Sequence, residues 1–73
     1  LVYPNPVSEQ LSIETENQVD YVQLIDISGR IIKIEGNTNH LLKIPVKEFN
    51  PGMYFVIVHF IDKSKNTAKI LIE

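Results

Sequence analysis

Asn50-Pro51-Gly52-Met53-Tyr54-Phe55-Val56-Ile57-Val58-His59-Phe60 opens on a turn and runs into the longest apolar segment of the chain. Proline fixes φ near about −65°, and glycine reaches backbone conformations that other residues adopt only with strain. The apolar run is rich in β-branched and aromatic residues, too short for a helix and without helix caps, so it reads as a strand. Pleating sends Tyr54, Val56, Val58 and Phe60 to one face, and Met53, Phe55, Ile57 and His59 to the other. A strand apolar on both faces belongs in the middle of a sheet.

Working outward, the segments on either side alternate in the same way. Tyr3-Pro4-Asn5-Pro6 is extended, because each proline excludes helix from the residue before it. Leu11-Ser12-Ile13-Glu14 alternates with Leu11 and Ile13 inward, and Glu14 to Asp20 is a polar connection. Tyr21 to Asp26 alternates with Val22 and Leu24 inward. Asp26-Ile27-Ser28-Gly29 predicts a hairpin of the type I plus G1-bulge kind, Asp26 capping backbone N–H groups and Gly29 taking the left-handed position. Arg30 to Glu35 is the return strand with Ile32 and Ile34 inward, and Gly36-Asn37-Thr38-Asn39 is a second turn.

His40 to Val46 is a further strand with Leu42, Ile44 and Val46 in phase, and Pro45 places it at an edge or keeps it short. Phe49 plugs the core from a loop. Asp62-Lys63-Ser64-Lys65-Asn66 is a polar turn, and Thr67 to Ile72 closes the chain with Ala68, Ile70 and Ile72 on one side. Six or seven short antiparallel strands with no helical period make a small all-β, immunoglobulin-like β-sandwich.

The totals are those of one domain of 73 residues, with a modest core and no cysteine to staple it. Net charge is −2 with acids and bases interspersed, and no basic stripe suits nucleic acid. No apolar run approaches the roughly eighteen residues of a membrane helix. The opening residues lack a signal-peptide layout, so an export signal is expected upstream, in a longer polypeptide.

Catalytic chemistry finds no footing. His40 and His59 have no further histidine or cysteine at ligand spacing, so no metal site is expected, nor any cofactor. The serines 8, 12, 28 and 64 lack an elbow motif or a nearby histidine, and Glu14, Glu16, Asp20 and Asp62 sit in solvated loops without a cleft. The face carrying Met53, Phe55 and Ile57 is more informative. Together with Ile25 and Ile31 it forms an outward apolar patch, either a contact surface, through which two copies could dimerise, or a surface covered by a loop or by the Tyr3 segment.

In series, Tyr3-Pro4-Asn5-Pro6, Leu11-x-Ile13, Asp26-x-x-Gly29-Arg30, Ile44-x-Val46, Phe49-x-x-Gly52-x-Tyr54 and a late Lys69 form a recognisable order. It resembles the C-terminal sorting domain of the type IX secretion system, the type A class of Bacteroidetes, from Tyr3 to Ile72. The resemblance implies a non-catalytic domain at the end of a secreted protein. Its cargo travels through the periplasm to the cell surface or beyond. The partners implied are the outer-membrane translocon, a shuttle protein and a sortase-like peptidase that removes the domain ahead of Tyr3. Pro4, Asn5, Pro6, Asp26, Gly29, Gly52 and Tyr54 carry fold-level roles under this likeness. Lys69 and Arg30 are recognition charges or, on the plain reading, solvated strand-end cations. Glu73 and Pro45 depart from the family pattern. The other class open to the sequence is an immunoglobulin-like accessory or binding module of an extracellular enzyme, though the chain has no tryptophan for a carbohydrate platform.

Overall fold

Gly52–Phe60 is a nine-residue strand with a neighbour on each side, as its two apolar faces require. A computed structural model describes residues 1–38 and 41–73, and for 37 and 38 the backbone only. In chain order the strands are β1 (Val2–Tyr3), β2 (Gln10–Glu14), β3 (Val19–Asp26), β4 (Ile31–Thr38), β5 (Leu41–Pro45), β6 (Gly52–Phe60) and β7 (Lys65–Ile72). They form two antiparallel sheets, β1-β2-β5 and β4-β3-β6-β7, and no helix occurs among the described residues. The chain crosses from the larger sheet to the smaller at β5 and back at β6, the pattern of an immunoglobulin-like sandwich whose fourth strand joins the larger sheet.

Between the sheets lie fourteen buried apolar side chains among the described residues. Tyr54, Val56, Val58 and Phe60 supply four of them, more than any other strand. Burying a side chain of this size contributes about 1.5–3 kcal/mol before the entropy of ordering is set against it. The core therefore depends on β6 first. The parity expected for Leu11, Ile13, Val22, Leu24, Ile44, Val46, Ile70 and Ile72 holds, with Leu42 and Phe49 packed at the rim. Pro45 sits on β5, an edge strand, where a missing N–H costs no ladder bond.

Four expectations fail. Ile34, expected inward, is 59% exposed. Leu24 pairs with Lys33 but Ile25 pairs with Ile31, so Ile32 is the extra residue of a β-bulge. Beyond it, Lys33 and Glu35 take the positions opposite Leu24 and Val22, and Ile34, opposite Gln23, faces out. Ile32 does pack on the core. The turn expected at 36–39 is strand as far as Thr38; Asn39 and His40 lie outside the described residues. The connection over 14–20 is shorter than expected, because β2 keeps Glu14 and β3 begins at Val19, a buried core residue. Finally, the polar turn expected over 62–66 is shorter, because β7 begins at Lys65; Val2 and Tyr3, at the opening expected to be extended, pair with Ile13 and Ser12 as a short strand.

Candidate recognition surface

Tyr54, at the start of β6, turns inward and donates its hydroxyl to the Asn50 carbonyl at 2.6 Å. This is the tyrosine corner of immunoglobulin-like sandwiches, locking the loop before the strand. Gly52 just ahead of it has φ +149° with no atom within 4 Å of where a Cβ would stand, so the demand for glycine there is conformational rather than steric. Directly across from Tyr54, at the end of β3, Asp26 caps its hairpin from Oδ1 and Oδ2. It accepts from Ser28 N–H at 3.0 Å, Ser28 hydroxyl at 2.6 Å, Arg30 N–H at 3.0 Å and Arg30 Nε at 3.3 Å. The Ser28 hydroxyl bond, followed by the Arg30 amide, holds the Asp26 carboxyl below its ordinary value of 3.8. Gly29 occupies the left-handed position at φ +90°.

The proline-rich opening performs a task that its sequence did not disclose. Asn5 lies against the free edge of β7, accepting the Leu71 N–H on Oδ1 at 3.0 Å and donating Nδ2 to the Lys69 carbonyl at 3.3 Å. Val7 follows with backbone bonds to Leu71 and Glu73, at 2.9 and 2.8 Å, and is itself buried. The asparagine side chain thus imitates a strand where Pro4 and Pro6, lacking N–H groups, could not. The Tyr3–Pro4 and Asn5–Pro6 peptide bonds are both cis.

On the outer face of the larger sheet, Phe55 stands between Ile25 of β3 and Lys69 of β7, and Ile57 between Gln23 and Thr67. Phe55, Ile57 and Lys69 are thereby brought together. Ile31, Met53 and Leu71 extend the apolar area, each between 37 and 47% exposed. Tyr3, considered above as a cover, pairs with Ser12 in the other sheet and leaves this face open. Further along, the His59 ring stacks on Tyr21 with centroids 4.2 Å apart, and its Nε2 lies 2.7 Å from Gln23 Oε1. That cluster needs the β3–β6 register, which the sequence alone does not supply. Arg30 is set apart at the hairpin tip, 78% exposed and paired with Asp26. Lys69 makes no ion pair among the described residues.

A hollow of about 600 Å³ is open and lined by scattered polar groups such as Glu14, Glu16 and Asn17 with Leu1, Leu41 and Phe60. No three His, Asp or Glu side chains among the described residues are placed to hold a metal ion. No helix among them is long and apolar enough to cross a membrane.

The model of the secretion system C-terminal sorting domain matches residues 1–73, the entire chain. The chain belongs to that family, the sorting domains of type IX secretion. It acts as a C-terminal sorting signal that sends a protein to the cell surface or the extracellular space, by interaction with the type IX machinery, and the family is not one of enzymes. No match to a curated protein was found.

Proposed function

We propose that the type IX translocon and its outer-membrane shuttle protein read this domain on the outer face of the β4-β3-β6-β7 sheet. Phe55 and Ile57 supply the apolar contact and Lys69 the charge. The cargo arrives through the periplasm, and a sortase-like peptidase removes the domain after passage. The observation that carries this reading is that face: a contiguous apolar area that no part of the described chain covers, in a domain whose family role is to be handled by other proteins. Arg30 is the secondary charge, since its guanidinium already braces the hairpin through Asp26.

The test is a reporter carrying this domain at its C-terminus in a type IX-competent host. Lys69→Ala is expected to leave unfolding within about 0.5 kcal/mol of wild type, and Phe55→Ser, on a central strand and 36% exposed, to cost about 1 kcal/mol in a domain that still folds, while surface display falls in both. Unchanged display would make both ordinary surface residues. The same exposed face supports self-association as a second use; sedimentation that shows a dimer abolished by Phe55→Ser would favour it.

A further inference from the structure

The free edge of β7 is divided. Its C-terminal half is closed by Asn5 and Val7, which occupy the outward-facing groups of Lys69, Leu71 and Glu73. Those groups belong to odd-numbered residues, so strand alternation turns the N–H and C=O of Thr67 and the N–H of Lys69 to the same edge. Among the described residues no backbone bond outside the ladders reaches them. Beside this open half runs a groove of about 320 Å³, lined by Val2, Asn5, Val58, Ala68 and Ile70 among others. It is the gap at the margin of the sandwich between β1 and β7. Lys65 and Lys69 flank Thr67 on the outer face, opposite His59 and Phe55, and neither makes an ion pair among the described residues.

We propose that the 65–69 half of β7 accepts an extended acidic segment of a partner protein as an added strand. Its carboxylates at i and i+4 lie opposite the two lysines, and its apolar side chains at i+1 and i+3 enter the groove. Main-chain bonds to Thr67 and Lys69 give affinity, and alternate side chains give selectivity. Charge decides the occupant. A second copy docking about a two-fold axis at Thr67 would set Lys65 of each copy against Lys69 of the other, and like charges directly across a ladder are destabilising. The lysines block self-pairing and admit an acidic strand. This deepens the sorting reading by naming the contact, and rests on it only for where such a partner is met.

The experiment is a titration of the isotope-labelled 73-residue domain with a blocked Glu-Val-Thr-Val-Glu peptide, followed by amide chemical shifts. Saturable shifts at Val2, Thr67, Ala68 and Lys69 are expected, with none from Lys-Val-Thr-Val-Lys. Lys65→Glu with Lys69→Glu, a surface change that spares the core, should exchange the preference of the two peptides by about tenfold or more. Thr67→Pro removes an edge donor but no β6–β7 ladder bond, and should abolish binding in a folded domain. Equal binding of both peptides, wild-type binding by Thr67→Pro, shifts confined to Phe55 and Ile57, or no saturable binding overturns the proposal. A β7-to-β7 dimer overturns it in favour of a second copy. Export of the reporter without peptide binding overturns this inference alone, whereas binding without export overturns the sorting reading.

Discussion

The β3–β4 and β6–β7 hairpins share one hydrogen-bond frame and fill it with different residues. In the first, Asp26 N–H donates to the Arg30 carbonyl and Gly29 N–H to the Asp26 carbonyl, both at 3.0 Å. In the second, Phe60 N–H donates to the Ser64 carbonyl at 2.9 Å and Lys63 N–H to the Phe60 carbonyl at 3.0 Å. Gly29 and Lys63 occupy equivalent left-handed positions, at φ +90° and +78°. The first position of the frame is Asp26 in one and the buried Phe60 in the other. A core aromatic cannot cap, so capping moves into the loop, where Asp62 accepts the Ser64 N–H at 2.9 Å. The family pattern Asp26-x-x-Gly29-Arg30 is thus one of two chemical solutions to one folding problem. Its aspartate and glycine are accounted for by the turn, whereas Lys69, Phe55 and Ile57 take part in neither turn and face away from the core.

The largest expected break in that equivalence is Gly29→Val. A β-branched residue at positive φ costs on the order of 2 kcal/mol, and for a domain of this size about 10 °C of melting temperature. Open space around the position means that no collision adds to it. Gly52→Val should behave alike and reduce export through unfolding, visible as matched losses in urea midpoint and display. Lys63→Gly works in the opposite sense. Relief of the left-handed penalty, less the added freedom of the unfolded chain, should stabilise by about 0.5 kcal/mol, read from the urea midpoint. The smallest difference is in pH dependence. Hydrogen bonds depress both Asp26 and Asp62 below the ordinary 3.8, so their stabilisation is complete above that value and fades as pH falls through the lower folded values. With four donors against the two serine donors of Asp62, Asp26 should show the larger effect. Asp26→Asn is expected to flatten the acid limb of a stability–pH curve more than Asp62→Asn.

Legibility in the sequence followed the range of the interaction. Turns and pleat parity are settled by residues a few positions apart, so β6, the Asp26 hairpin, the edge role of Pro45 and the outward set Met53, Phe55 and Ile57 could be read directly. Ile34 was misplaced because a bulge is set by its partner strand: the break lies in pairing with Leu24 and Ile25, not in the local pattern. The Asn5 contacts span 64 and 66 residues, and no local signal marks an asparagine that will serve as a strand. Parity also showed which residues face outward, but whether anything covers them depends on the path of Tyr3 in the other sheet.

The strap formed by Asn5 and Val7 has a consequence for where the chain could be cut near its start. A cut ahead of Leu1 would leave the C-terminal half of β7 guarded. Scission after Val7 would unfasten Leu71 and Glu73 together and leave a bare strand border where stray chains can stack. A domain trimmed of residues 1–7 is therefore expected to aggregate where the intact one stays dispersed, a difference that light scattering would read.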